Sequence, residues 1–301
     1  MNRKIRIGSR DSVMAIRQAE IVIAAVKKNN PAVEFELVLI KTTGDKILDK
    51  SLDEIGGKGL FIKELEKALA SCGIDIAVHS YKDMPCEETD GLPVVALSKR
   101  EAPFDVLVLP EGAAALNNAE PANSKPVGSS SLRRTIQFKK LYKGFETKAI
   151  RGNVPTRLAK LDNGEYSALI LAQAGLNRLS LQNRISRVFT PDEMIPSASQ
   201  GILAVQGREN EDHSYLSAFH NRESEIVSKA ERRFLITLGG GCTSPVAAYA
   251  QLRGGELLLM GMYVDGSGNM ETGKISGNVD KAELLGETLA KQLKAKLEGK
   301  W

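Results

Sequence analysis

The chain has 301 residues, of which 42% are apolar and 26% charged, and a net charge of +4. That length exceeds what one hydrophobic core usually holds, so two or three domains are expected, and the composition excludes a disordered chain. No apolar run approaches the ~20 residues of a membrane span, no signal-peptide segment is apparent, and three scattered cysteines (Cys72, Cys86, Cys242) fit neither a disulfide framework nor a four-ligand zinc site, so a cytoplasmic, metal-free protein is expected.

Residues 4–9 alternate as a strand, and Asp11 or Ser12 can cap a helix running to about Asn29. Glu34–Lys41, rich in Val, Leu and Ile, is a second strand. Phe61, Leu65, Ala68 and Leu69 mark one face of a helix that Gly73 stops, and Ile74, Ile76 and Val78 alternate as a strand ending near His79. Strands alternating with helices predict an open α/β sheet with parallel strands.

Glu101-Ala102-Pro103 reads as a crossing into a second unit of the same kind. There Pro126-Val127-Gly128 leads into a helix from about Ser130, and Phe145–Ile150 is a strand. Asn153 caps a helix with Pro155 in its first turn, and Ala168–Ala172 is a buried strand. The last third differs. A helix covers Ser224–Leu238, and strands Val246–Leu252 and Glu256–Asp265 meet at the hairpin signal Arg253-Gly254-Gly255. A final helix over about Lys281–Glu298 buries Leu285, Leu289 and Leu293. The expected architecture is two α/β lobes with a cleft between them, followed by a small C-terminal α+β domain.

Ser9-Arg10, His79-Ser80-Tyr81-Lys82-Asp83, Gly128–Arg134 and Arg151-Gly152-Asn153 each follow a predicted strand. In open α/β sheets the ligand crevice lies beyond the carboxyl ends of the strands. Two of these segments open helices, whose free N–H groups favour an anion, and arginine adds bidentate recognition of carboxylate or phosphate. The set predicts a cleft lined by Arg10, Lys58, Lys82, Arg133, Arg134, Arg151, Arg157 and Arg178. Any one of these taken alone is more often a solvated surface charge; four motifs at one sheet edge reverse that weighting. Gly56-Gly57-Lys58-Gly59 is not a P-loop, since Leu60 stands where Ser or Thr is required, and no dinucleotide fingerprint follows the first strand.

Asp83 is the acid of this basic set, placed to stabilise a cation formed from a substrate, although an isolated Asp is equally often a turn or capping residue. His79 reads as structural, and His213 and His220 have no metal-ligand pattern around them. Cys242 follows Gly239-Gly240-Gly241, a run suited to presenting a sulfur, against the usual state of a free Cys as a buried apolar thiol.

In order along nearly the whole chain, these segments resemble the hydroxymethylbilane synthase (porphobilinogen deaminase) family. The stretches that carry the resemblance are Gly8–Ser12, Gly56–Phe61, Ala77–Pro85, Ser130–Arg134, Arg151–Leu158, Ala174–Leu179, Ala230-Glu231-Arg232 and Gly240-Gly241-Cys242. The resemblance implies two lobes like those of periplasmic binding proteins, over 1–100 with 197–220 and over 101–196, and a third domain over 221–301. It implies a transferase of tetrapyrrole and heme biosynthesis that carries a dipyrromethane cofactor as a thioether on Cys242. Porphobilinogen would lose ammonia to give an azafulvene-type electrophile that the terminal pyrrole attacks; four additions and a hydrolysis would release hydroxymethylbilane.

In the same reading Asp83 is the catalytic aspartate. Arg10, Lys58, Lys82, Arg133, Arg134, Arg151, Arg157 and Arg178 bind acetate and propionate groups of cofactor and substrate, with Ser12, Ser129, Ser130, Ser131, Gly152 and Gln200 beside them. Two residues depart from the family pattern: Ser129 stands where Thr is usual, and Ser199-Gln200-Gly201 replaces Gly-Gln-Gly, where Gly would allow backbone angles that Ser resists. A monomer with porphobilinogen and the growing pyrrole chain as its partners is expected. The competing reading is a two-lobed anion- or solute-binding protein without catalysis, in which the Gly-Gly-Cys242 element has no purpose. Nucleic acid is not an expected partner, because no aromatic residues interleave with the basic motifs.

Overall fold

The computed structural model describes residues 4–42, 62–113, 125–240 and 245–299. The expected Gly56–Phe61 stretch with Lys58, and Cys242 itself, lie outside the described residues. In chain order the elements are β1 (Ile5–Arg10), α1 (Val13–Asn29), β2 (Phe35–Ile40), α2 (Lys63–Ala70), β3 (Ile76–Ser80), a 3-10 turn at Tyr81–Asp83, β4 (Val94–Leu97) and β5 (Asp105–Val108). There follow β6 (Val127–Gly128), α3 (Leu132–Leu141), β7 (Thr147–Lys148), α4 (Val154–Asp162), β8 (Ala168–Ala172), α5 (Gln173–Arg178) and β9 (Arg187–Val188). The last are β10 (Leu203–Gly207), α6 (Arg222–Thr237), β11 (Ala247–Arg253), β12 (Glu256–Val264), β13 (Met270–Asn278) and α7 (Ala282–Leu297).

The chain forms two compact units, Met1–Glu101 with Ile202–Glu225, and Ala102–Gly201 with Ile226–Trp301. The first is built on a five-stranded sheet in the order β2-β1-β3-β10-β4. Ser12 starts α1 as expected, its hydroxyl accepting from the Ala15 N–H at 3.3 Å. Ala15, Ala19, Val22 and Val26, three or four residues apart, form one buried stripe of α1, and the last three pack with Ile7, Ile76, Val78 and Val205 of the sheet. Leu65 and Leu69 of α2 pack with Ile74 and Ala77 in a second cluster.

The second unit repeats the scheme with the order β7-β6-β8-β5-β9. Phe138 and Val127 fill one cluster, and Leu158, Leu161 and Leu169 another. The same unit holds the antiparallel sheet β11-β12-β13. Ala247, Tyr249, Met260 and Met262 of that sheet pack with Phe104, Ile136 and Ile195. α6 and α7 meet so closely at Gly286 that a Cβ there would lie 2.3 Å from the Ala230 carbonyl oxygen.

The α/β class therefore holds, with one correction. The sheets are mixed: β10 runs antiparallel to both β3 and β4, and β5 antiparallel to both β8 and β9. The parallel expectation came from the local β-α-β rhythm, whereas β5 and β10 are the first strands after each crossing between units and enter their sheets from the opposite end. The Phe145–Ile150 strand shrinks to the two residues of β7, and the helix expected from Ser130 begins at Leu132 with Ser131 as its cap. β13, a third strand in the C-terminal sheet, was not anticipated.

Ser199 shows what replaces the usual glycine. It adopts φ +59°, in the left-handed region, and is completely buried, with its Oγ unpartnered among the described residues. A non-glycine residue pays about 1–2 kcal/mol for that conformation, and glycine's greater freedom in the unfolded chain returns about 0.4–1 kcal/mol of it. Ser199→Gly should therefore raise stability by about 1 kcal/mol, read as a higher urea midpoint with unchanged slope; a lower midpoint would show that the serine hydroxyl has a stabilising partner.

Candidate active site

In the second unit, β6, β7 and β8 run parallel, so the segments leaving them emerge at one edge. After β6, Ser129 is buried and its Oγ accepts from the Ser131 N–H at 3.3 Å. Ser130 Oγ accepts from the Ile150 N–H at 3.0 Å and donates to the Ile150 carbonyl, tying the β6 exit to the β7 exit. Ser131 caps α3 through the Arg134 N–H at 3.5 Å. The three serines thus shape the edge.

Arg133 and Arg134 are not solvated cations. They are 5% and 8% exposed and close on Asp105, the first residue of β5. Arg133 donates to one Asp105 oxygen at 2.7 Å and to the Ile195 carbonyl at 2.7 Å. Arg134 donates through Nε to the other Asp105 oxygen at 2.9 Å and through a terminal nitrogen to the Ile170 carbonyl at 3.2 Å. Gln200 adds a third contact, its Nε2 donating to Asp105 at 3.0 Å and to the Pro103 carbonyl at 2.7 Å. Burial alone would raise the Asp105 pKa, but the two guanidiniums outweigh it and hold the carboxyl far below the usual carboxylate range. Arg178 is also buried, donating to the Gly201 carbonyl at 3.0 Å.

Arg157 differs. It is half-buried in the first turn of α4, with Nε donating to the Gly152 carbonyl at 2.8 Å. Its pKa is pushed down to about 10, first by burial and then by the positive charges of Arg134 and Arg151. Like charges gathered in this way disfavour one another's charged form. Gly152 is needed beneath them: it has φ +113°, and a Cβ would lie 2.8 Å from Thr156 Cγ2. Asn153 caps α4 as expected, accepting from the Thr156 N–H at 2.9 Å.

In the first unit, Arg10 ends β1 beside β3, and β3 leads into the Tyr81–Asp83 turn. The Tyr81 N–H donates to the Ile202 carbonyl at 3.0 Å, and Gln18 Nε2 donates to Ser80 Oγ at 2.8 Å. Lys82 is half-buried and Asp83 exposed, and the Asp83 carboxylate has no hydrogen-bond or ion-pair partner among the described residues. His79 is buried, 3.1 Å from Gln206, and burial above all lowers its pKa to about 4. Since the unfolded chain protonates this histidine at higher pH than the folded chain does, the group costs stability as pH falls from the ordinary histidine range toward 4.

A family profile described as "Porphobilinogen deaminase, dipyromethane cofactor binding domain" matches residues 5–215, and one described as "Porphobilinogen deaminase, C-terminal domain" matches 226–295. The chain belongs to the porphobilinogen deaminase family. Relatives named porphobilinogen deaminase include one from Ruminiclostridium josui, 53% identical over 97% of this chain and 98% of that protein, and one from Acetivibrio thermocellus, 54% identical over 96% and 98%. Among solved structures, the probable amino-acid ABC transporter extracellular-binding protein ytmK from Bacillus subtilis is 14% identical and covers 71% of this chain and 88% of that chain at a TM-score of 0.41. Porphobilinogen deaminases have a cofactor-binding domain, and here its match spans every described candidate residue, from Arg10 to Gln200.

Three buried polar residues that hold this framework escaped the sequence reading. Asp105 opens a short strand with no local signature, so its pairing with Arg133 and Arg134 is legible only in three dimensions. Glu231, completely buried, accepts from the Ser199 N–H at 2.6 Å and from the Ala250 N–H at 2.6 Å. Its place inside the Ala230-Glu231-Arg232 stretch was the available signal. Gln206 is the third, visible only through its bond to His79. Among the described residues no cluster could hold a metal ion, and no helix is long and apolar enough to cross a membrane.

Proposed function

We infer that this chain joins four porphobilinogen molecules head to tail, losing ammonia at each step, on a dipyrromethane held as a thioether by Cys242, and then releases hydroxymethylbilane by hydrolysis. The observation that carries the reading is the gathering of Arg151 and Arg157 at the edge where the parallel strands β6, β7 and β8 end, with Arg157 half-buried there and its Nε on the Gly152 carbonyl. A cofactor and substrate bearing several carboxylates suit these residues. When bound, the dipyrromethane supplies the pyrrole carbon to which the first substrate is joined.

The protein's own groups divide the work. Arg10, Lys82, Arg151 and Arg157 bind carboxylates of cofactor and substrate. Lys58, outside the described residues, belongs to the same set. Arg133, Arg134 and Gln200, gathered on Asp105, fix the edge. Asp83 supplies a negative charge to the reacting ring; it would hold the ring N–H groups and stabilise the positive charge that develops there. Ser12, Ser129, Ser130 and Ser131 spend hydroxyls on the backbone and so set where the basic side chains begin. The third domain, over 221–301, carries Cys242. The chain acts as a cytoplasmic monomer.

Arg157→Leu tests the charge argument. It should weaken substrate and cofactor carboxylate binding by about 1.5–3 kcal/mol, the worth of a charged hydrogen bond, seen as a raised KM or as incomplete cofactor loading. Fold stability should change little, because the residue is held beside like charges. Unaltered elongation kinetics in fully loaded protein would remove Arg157 from the site.

A further inference from the structure

Glu231 is a carboxylate with no exposed surface, and nothing in the chemistry inferred above uses it. It lies on α6, and its two oxygens serve two different parts of the second unit. Oε2 accepts from the Ser199 N–H at 2.6 Å and Oε1 from the Ala250 N–H at 2.6 Å, both as short as charge-assisted bonds are. Ala250 belongs to β11, the edge strand of the antiparallel sheet. One buried carboxylate therefore joins that sheet to the segment at Ser199. A glutamine could not do the same. Its amide offers a single accepting oxygen, and two N–H groups have to be met.

Residues 199–201 are held one after another. Gln200, 1% exposed, donates through Nε2 to Asp105 at 3.0 Å and to the Pro103 carbonyl at 2.7 Å. Its own N–H bonds the Ser197 carbonyl at 3.0 Å, and the Gly201 carbonyl accepts from Arg178 at 3.0 Å. Asp105 in turn gathers Arg133 and Arg134. From Glu231 to those arginines every link is a hydrogen bond or a peptide bond. Ser199 is the strained link. It sits at φ +59°, where a side chain is disfavoured, so a serine released there falls back to negative φ and carries Gln200 with it. Glycine has no such bias.

We propose that Glu231 is a positioning residue: it holds Ser199 in the left-handed conformation, keeps Gln200 on Asp105, and is made necessary in this chain by the serine at 199. The consequence for ligand binding rests on the function inferred above, since Asp105 and its arginines fix the edge where carboxylates bind. The hydrogen-bonded link itself does not rest on it. Burying a carboxylate is costly unless its bonds are made, so a change that spoils one oxygen releases the segment that depended on both.

Steady-state kinetics of holoenzyme variants test the dependence. Glu231→Gln should raise KM for porphobilinogen about fivefold, the factor that one hydrogen bond is worth, with kcat within about twofold. Introduced beside Ser199→Gly, the same change should raise KM by less than about twofold over Ser199→Gly alone, because glycine keeps the left-handed angle unaided. A merely structural Glu231 would give the same rise in both backgrounds. That result, or a wild-type KM in Glu231→Gln, would overturn the proposal. Amide hydrogen exchange in the unaltered holoenzyme needs no variant, and it decides if Glu231→Gln does not fold. The Ser199 and Ala250 N–H groups should exchange at matching slow rates, as two amides on one buried acceptor; exchange at Ser199 about tenfold faster than at Ala250 would show that nothing holds it. Product formation by the unaltered protein tests the reaction itself, and exchange is read whether or not product forms, so the two failures are separable.

Discussion

Asp83→Asn is expected to retain covalently attached cofactor and to turn over porphobilinogen about 100–1,000-fold more slowly, the usual cost of removing one preorganised electrostatic contact. The backbone around Asp83 is held by others: the Tyr81 N–H bonds the Ile202 carbonyl, the Met84 N–H bonds the Tyr81 carbonyl, and Gln18 holds Ser80. The carboxylate is exposed and makes no bond among the described residues, so asparagine should leave the turn and its stability unchanged. What it removes is the charge. Asp83→Glu keeps the charge and moves it by one methylene, and it should retain more activity than Asp83→Asn. Single-turnover ammonia release, in variants shown by mass to be loaded, is the measurement. Near wild-type turnover by Asp83→Asn would assign the role elsewhere.

The second large effect concerns stability. Asp105→Ala should destabilise the protein by about 3–5 kcal/mol, because two buried guanidiniums lose the carboxylate that neutralises them. Asp105 has no exposed surface, so solvent cannot replace it. Urea denaturation at neutral pH reads the change, and a loss below about 1 kcal/mol would mean that water reaches Arg133 and Arg134. The pH dependence has a definite sign. A carboxyl held below its unfolded pKa contributes stability that is fully present above the ordinary carboxylate range and is lost as pH falls through the depressed folded value. Asp105→Ala should therefore flatten the acid limb of the stability curve.

Local features were legible because local chemistry makes them. Ser12 and Asn153 cap helices through their own neighbours three residues on, and the stripe of α1 follows from spacing. The basic segments at the strand exits were legible for the same reason. The antiparallel entries of β5 and β10 were not, since nothing in four or five apolar residues states their direction. Nor did the sequence distinguish arginines proposed to bind ligand from arginines that hold the edge. Arg133 and Arg134 read as identical to Arg151 and Arg157, and only the position of Asp105, 28 and 29 residues upstream, separates the pairs. Ser199 shows a partial reading: the departure from glycine was visible, but the left-handed φ had to be seen.

The central claim is that the protein works on a pyrrole chain built upon Cys242, and intact mass of the purified protein before and after exposure to porphobilinogen tests it most directly. The expected spectrum shows one dipyrromethane adduct beforehand and a ladder of added pyrrole units afterwards, both mapping to the peptide that contains Cys242 and both absent from Cys242→Ala. An unmodified mass in both spectra, or an adduct on Cys72 or Cys86, would contradict it.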